Sequence, residues 1–286
     1  MTVTEPPIAV RSLTKSYGAR AVLHGIDLEV AAGEVLALLG PNGAGKTTTI
    51  EILEGYREPS TGTVRVLGFD PCRHPVELRR RTGVVLQECG FPDHLRVREL
   101  IEAWRAYYPN PRSTAELLAL VELTDESRTL VRRLSGGQRR RLDFALALAG
   151  DPDVVFLDEP TTGFDPEARR RCWSAIENLA TLGKTILLTT HYLDEAERLA
   201  DRVAVLAAGR IRAVGDARTL ARIADTPTCI SYLDGDGDRV VIHTRTPSAV
   251  LQELMRDHGE LPDLLVAPPT LEDSYLRLVA DPAEAA

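Results

Sequence analysis

The sequence predicts an α/β fold built on a mainly parallel sheet, and three observations carry that reading. Four short runs are apolar almost throughout, as in strands covered on both faces: "EVLALLG" (34–40), "VVFLDEP" (154–160), "TILLTT" (185–190) and "RVAVLAAG" (202–209). Stretches of helical spacing lie between them, such as "PEARRRCWSAIENLATLG", which closes on Gly183 in the left-handed C′ position. A glycine-rich turn, "LLGPNGAGKTT" (38–48), leaves the first of these runs and opens a helix. Strand and helix in alternation place helices on the faces of a parallel sheet.

In chain order, "IAVRSL" and "IDLEV" read as strands, and the alternation of Ile26, Leu28 and Val30 gives the second one covered face. The turn "AAGE" leads into "EVLALLG". From about 91 to 150 the strands stop. "HLRVRELIEAWRAYY" and "STAELLALVEL" carry helical spacing, each opened by a turn or capping residue, so this stretch reads as a helical insertion between two sheet strands. Trp104, Tyr107 and Tyr108 fall in it and are read as packing residues, not a ligand box. Beyond about 224 the composition changes. "TCISYL", the turn "DGDGD" and "RVVIHT" form a hairpin; "PSAVLQELMRDHG" is a helix, "DLLVAPP" a strand and "TLEDSYLRLV" a capped final helix. Residues 225–286 are therefore expected to form a small α+β appendage to the α/β domain at 1–224. Asp234, Asp236 and Asp238 imitate the start of a calcium loop, but Arg239 stands where glycine is demanded and the closing glutamate is missing. They read as a turn.

Composition bounds the function. A chain of 286 residues is long enough to bury a full core without disulfides, in one large domain or two. A net charge of −8 argues against nucleic acid as the main partner. Cys72, Cys89, Cys172 and Cys229 are far apart with no CxxC pair, as expected of thiols in a reducing compartment. The first residues lack the apolar core of a signal peptide, and no run approaches the ~18 apolar residues of a membrane span. A cytoplasmic chain is expected, and any membrane role would need a partner that supplies the span.

The first glycine loop carries chemistry. Gly40, Pro41, Asn42, Gly43, Ala44, Gly45, Lys46 and Thr47 fit G-x-x-x-x-G-K-[ST] after a strand, with Thr48 next in the helix. Glycines let backbone N–H groups turn inward around phosphates, and the helix adds its dipole. Lys46 can reach the β and γ phosphates, and the Thr47 hydroxyl can ligate Mg²⁺. Asp158 and Glu159 complement the loop from the end of "VVFLDEP", where open α/β sheets bind ligands. Asp158 suits outer-sphere coordination of Mg²⁺, and Glu159 can orient and deprotonate an attacking water.

A second glycine turn, "LSGGQRRRLDFALALAG" (134–150), lies in the helical insertion. Ser135 and Gln138 satisfy a capping box around Gly136 and Gly137. Adjacent glycines in a first turn nevertheless cost about 1 kcal/mol each relative to alanine, while leaving bare N–H groups open to a phosphate.

"LSGGQ" followed by "LDEP" resembles the signature of ATP-binding-cassette ATPases, over roughly residues 5–220. The resemblance implies a P-loop NTPase core with a mainly parallel sheet, an antiparallel β subdomain and a helical subdomain at about 91–150. It implies that Ser135, Gly136, Gly137 and Gln138 cap the γ-phosphate held by the first loop of another copy, so that two cassettes enclose two ATP molecules head to tail. Tyr17 matches the aromatic that stacks on adenine. Gln87 matches the glutamine that contacts Mg²⁺ and links the site to a transmembrane partner. Asp165 matches the aspartate that acts across the dimer, with Phe164 where the family usually has leucine, and His191 matches the histidine that senses the γ-phosphate. Every catalytic position is filled, which implies a hydrolysing homodimer with ATP and Mg²⁺. General similarity further implies the stand-alone ATPase subunit of a bacterial multidrug or antibiotic exporter, held at the inner face of the membrane by a separately encoded permease. The other reading is a cytosolic cassette ATPase acting on a macromolecule. The appendage either adds dimer contacts and regulates closure or is a passive lobe.

Overall fold

The computed structural model describes residues 5–85, 90–223 and 227–280; Gln87 and Cys89 lie outside them. Contacts divide the chain into two compact units, split between Arg212 and Ala213. In the first, β1 (Ile8–Tyr17) and β2 (Arg20–Val30) form an antiparallel pair. Along β2 the alternation expected from Ile26, Leu28 and Val30 is observed, those three being buried and their neighbours exposed. β3 (Val35–Leu39) follows, then α1 (Lys46–Leu53) and β4 (Thr61–Val66), which returns to the other edge of β1 to complete a three-stranded antiparallel sheet.

α2 (Val76–Arg81) leads directly into β5 (Thr82–Val85). The helical insertion then runs through α3 (Val97–Arg105), α4 (Thr114–Leu120) and α5 (Gly136–Ala147). The core resumes with β6 (Val154–Asp158), α6 (Pro166–Thr181), β7 (Thr185–Thr190), α7 (Leu193–Leu199) and β8 (Arg202–Ala207). β9 (Arg210–Gly215) is the last strand of the six-stranded sheet, whose order is β5-β6-β7-β3-β8-β9. Every residue of β3, β6 and β7 is buried, as their continuous apolar runs require. Gly183 sits at φ 73° beyond α6, the left-handed stop expected there.

Two of the three aromatic packing expectations fail. Trp104 is 39% and Tyr107 77% exposed, meeting only edge to face at 6.0 Å. The cause is local. α3 buries Val97, Leu100 and Ile101; Trp104 continues that stripe but falls in the last turn of the helix, where it lines an open cavity instead of a packed core. Tyr108 does pack: a Cβ on Gly150 would lie 2.3 Å from its ring.

In the second unit α8 (Ala217–Ile223) accepts a 2.8 Å hydrogen bond at the Ala221 carbonyl from Ser274 of the final helix. The expected hairpin is present as β10 (Thr228–Leu233) and β11 (Arg239–Thr244), paired in full register. Its turn is an Asx turn, the Asp234 carboxylate accepting from the N–H groups of Asp236 (3.0 Å) and Asp238 (2.9 Å). α9 (Pro247–His258), the three-residue β12 (Leu265–Ala267) and α10 (Leu271–Ala280) complete the α+β unit.

Glu54, at the C-terminus of α1, is out of balance. Both of its carboxylate oxygens are buried without a hydrogen-bond partner, beside a cavity of about 440 Å³ lined also by Trp104 and Tyr108. Burial, with the charges of Asp158 and Glu51, pushes its pKa from 4.5 to about 8. The fold therefore favours the protonated acid: its relative stability is fullest below about pH 4.5 and is lost as pH rises toward 8. Glu54→Met is expected to stabilise the chain by about 1–3 kcal/mol at pH 8.5, the gain shrinking toward pH 5. Thermal melts at the two pH values check this, and an equal shift at both would refute it.

Candidate active site

Three adjacent strands deliver the expected residues to one place. In the sheet Leu39 of β3 is level with Thr190 of β7, and Thr189 of β7 with Asp158 of β6. The first glycine loop, the two carboxylates and His191 thus emerge side by side at the carboxyl ends of the strands, where parallel sheets bind ligands.

The loop is shaped by glycines that nothing else can replace. A Cβ on Gly40 would lie 2.2 Å from the Leu206 carbonyl oxygen. Gly45, at φ 110°, is the N-cap of α1 with no side-chain cap, and its Cβ would meet Leu23 at 2.6 Å. The first amides of α1 are therefore left without a side-chain partner, as an anion site requires. Lys46 is only 4% exposed. Its ammonium donates to the carbonyls of Gly40 (2.9 Å) and Pro41 (3.2 Å) and stands 3.2 Å from Glu159 Oε1.

Asp158 is buried, which raises its carboxyl above the ordinary range against the opposing pull of the Thr189 and Thr47 hydroxyls. Thr189 Oγ1 donates to Asp158 Oδ1 and accepts from the Glu159 N–H at 3.0 Å, so one hydroxyl sets both acids. Glu159 has a backbone φ of 45°, a strained conformation for a residue with a side chain. Burial alone would raise its carboxyl, but Lys46, helped by His191 and Thr162, outweighs burial and holds it below the usual range. The Thr162 hydroxyl donates to Glu159 Oε2 at 3.1 Å. His191 Nδ1 lies 3.3 Å from the same oxygen, outside hydrogen-bond geometry.

Lys46, Glu159, Thr162 and His191 line a cavity of about 740 Å³ with Tyr17, Asn42, Gly43, Gly45, Thr47 and Thr48, while the buried Asp158 and Thr189 do not reach its wall. Gly40, Pro41 and Ala44 do not line it: Gly40 and Ala44 are buried, and the Pro41 carbonyl accepts from the Ala44 N–H at 3.2 Å. Tyr17 ends β1 at the cavity edge, 40% exposed, with Lys15 and Arg57 about its ring at 5.1 and 5.4 Å.

The second glycine turn is elsewhere. Ser135, Gly136, Gly137 and Gln138 line a separate cavity of about 330 Å³ with Phe164 and Asp165; Thr162 borders both cavities. The expected capping box is present: Ser135 Oγ accepts from the Gln138 N–H at 3.2 Å, and Gln138 Oε1 from the Ser135 N–H at 2.9 Å. A Cβ on Gly136 would meet nothing within 4 Å, and one on Gly137 would make ordinary contact with Ala168 at 3.5 Å. Neither glycine has a positive φ. Unlike Gly40 and Gly45, they answer no demand of this chain's own packing. Asp165 caps α6, accepting from the N–H groups of Glu167 (2.9 Å) and Ala168 (2.8 Å), and those bonds, Ala168 first, hold its carboxyl below the usual range.

Sequence reasoning passed over three supporting residues. Thr189 and Thr162 orient the acids as described. Arg140, 6% exposed on α5, donates to the carbonyls of Pro160 (3.1 Å) and Asp158 (3.3 Å), tying the second turn's helix to the acidic strand end. Only the arginine run after "LSGGQ" hinted at it, and periodicity does not say which arginine points inward.

A family model described as "ABC transporter" matches residues 23–162. A daunorubicin resistance ATP-binding protein of Streptomyces coeruleorubidus is 36% identical, with 98% of each chain covered. The chain belongs to the ABC transporter family. A Nod factor export ATP-binding protein I of Ralstonia nicotianae is 37% identical over 96% of this cassette and 94% of its own length. Among solved structures, an ATP-binding subunit of an ABC transporter superposes with a TM-score of 0.69 at 25% identity, covering 95% of this cassette and 98% of that chain. A dimeric ATP-binding cassette in a post-hydrolysis state, bound to ADP and Pi, superposes with a TM-score of 0.65 at 25% identity, over 73% and 98%. The cassette is an ATP hydrolase with the P-loop fold expected from sequence, and the loop at 40–45, with its glycine-only contacts and buried lysine, fits ATP.

Proposed function

We propose that two copies of this cassette hydrolyse ATP at two shared sites and drive a separately encoded membrane permease that exports a small, largely hydrophobic compound. The observation that carries this reading is the pair of bare glycines at 136 and 137, open to a cavity apart from the P-loop and required by nothing within the chain. Glycines that the fold does not need are explained by a ligand brought from outside, here the nucleotide on a second copy. Dimeric cassettes among the similar structures support the pairing. The names of the relatives, daunorubicin resistance and Nod factor export, support export.

The residues divide the work. Amides of the loop and Lys46 bind the phosphates, and Tyr17 presents its ring to the base. ATP supplies the phosphoanhydride, with Mg²⁺ to neutralise its phosphate oxygens. Among the described residues no group of three or more His, Cys, Asp or Glu is arranged to hold a metal ion by itself, so Thr47 and Asp158 would hold the cation together with the phosphates, a sparse oxygen set that suits Mg²⁺. Gln87, assigned to the same cation by resemblance, lies outside the described residues. Glu159, fixed by Thr162 and by its N–H on Thr189, accepts the proton of an attacking water. His191 stands beside it, and Ser135 with Gly136 closes the partner's site.

No helix among the described residues is long and apolar enough to cross a membrane, so the permease supplies the span and holds the cassette at the inner face. The 440 Å³ cavity, lined by Trp104 and Tyr108 of the helical insertion and by Tyr56, His74 and Arg79, is the surface offered to that partner. The appendage expected at 225–286 belongs to the second compact unit, which also takes in α8. Co-purification from detergent-solubilised membranes tests the reading. A multispanning protein should accompany the cassette and raise its turnover of ATP; recovery with a soluble macromolecule instead would overturn export.

A further inference from the structure

Glu195 is fully buried in α7, four residues beyond His191. One of its oxygens, Oε1, accepts two hydrogen bonds: from Thr161 Oγ1 at 2.8 Å and from the Trp173 indole N–H at 3.0 Å. Thr161 is also fully buried and lies two residues beyond Glu159, in the segment that ends at Asp165. Trp173 belongs to α6, which Asp165 caps. One oxygen therefore joins the helix behind His191, the strand end behind Glu159 and the helix behind Asp165. The ion pairs between α6 and α7, Arg198 with Glu177 and Arg169 with Asp194, involve exposed partners and hold less firmly, and Arg198 also stacks over the Trp173 ring at 5.0 Å. Burial raises the Glu195 carboxyl above its ordinary range, against the hydroxyls of Thr190 and Thr161 and the Trp173 indole. Oε2 has no partner. Keeping a carboxyl there is costly, and the one purpose visible is the acceptor at Oε1.

The geometry points to Glu195 as a positioning residue that, through Thr161 and Trp173, keeps the His191 turn and the Glu159–Asp165 segment in one arrangement. It touches no substrate. It sets the distance between His191 and Glu159, now 3.3 Å, and carries any displacement of His191 to the segment that faces the second copy. The inference rests on the roles proposed above for Glu159 and His191.

Steady-state kinetics of the purified full chain test it. Misplacement of reacting groups by about 1 Å can cost up to about 100-fold, so Glu195→Ala and Thr161→Val should each lower kcat by about 10–100-fold, with KM for ATP unchanged within about two-fold. Glu195→Gln keeps the acceptor and Thr161→Ser the donor, and both should stay within about three-fold of the parent. A purely structural role would not give that rescue with an unmoved KM. Against a His191→Ala background, Glu195→Ala should add less than about three-fold, since its effect runs through His191. If Glu195→Ala does not fold, Thr161→Val against Thr161→Ser decides, since valine removes the buried hydroxyl at nearly constant size and serine keeps it with one methyl less. Parental kcat in folded Thr161→Val, or full additivity with His191→Ala, overturns the inference. An inactive parent chain would instead sink the hydrolytic assignment itself.

Discussion

Glu159→Gln is expected to lower kcat by about 10²–10⁴-fold while leaving ATP affinity unchanged within about two-fold. The size of the loss follows from what the substitution changes. The amide oxygen of glutamine can still accept from Thr162, and the backbone bond from residue 159 to Thr189 is untouched. The left-handed φ of 45° is equally strained for either residue. What disappears is the carboxylate, which the fold keeps ionised against its burial by placing Lys46 at 3.2 Å. The variant should therefore bind and not turn over, and with Mg·ATP it should accumulate as a dimer that light scattering reports as a doubled mass. Turnover above about a tenth of the parent's would remove Glu159 as the base and leave water positioned by some other group.

The ends of the sheet strands were legible from sequence because burial on both faces erases alternation. β3 is apolar throughout and runs from Leu39 into the glycine loop, while the apolar stretches of β6 and β7 end on the polar residues Asp158 and Thr190. The P-loop was legible for a different reason: its glycines are sterically compelled, so pattern and geometry carry the same information. Asp165 was half legible. "DPE" is a helix start, with Asp as N-cap and Pro at the first position, and the structure shows that role within the chain beside the one implied across the dimer. Glu195 was not legible. Its partners lie 34 and 22 residues away, and "LDEAERLA" reads as an ordinary charged helix until the strand order brings Thr161 and Trp173 against it. The exposure of Trp104 and Tyr107 was missed likewise, since the apolar stripe that Trp104 continues does not say where α3 stops, and Tyr107 falls beyond its end.

Gly136→Leu is expected to separate stability from activity in opposite directions. At 136 the backbone is helical and a Cβ would meet nothing within 4 Å, so any residue better than glycine at forming helix should hold or raise stability by up to about 1 kcal/mol, read as a thermal midpoint that does not fall. The same side chain would stand where the proposed partner's phosphates approach, and kcat should fall by about 10²-fold or more, as when a single donor to a developing anion is lost. Gly40→Ala gives the contrast: its Cβ would strike the Leu206 carbonyl oxygen at 2.2 Å, so activity and stability should fall together. Mixing sharpens the result. Gly136→Leu retains a working P-loop, and Lys46→Ala retains a working signature turn, so a mixed dimer contains one intact composite site. Combined in equal amounts, the two inactive variants should regain up to about a quarter of parental turnover if the two sites work independently, because about half the dimers are mixed and each has one site of two. If Gly136→Leu hydrolyses ATP at the parental rate, the bare amides serve no nucleotide, and each chain completes its own site.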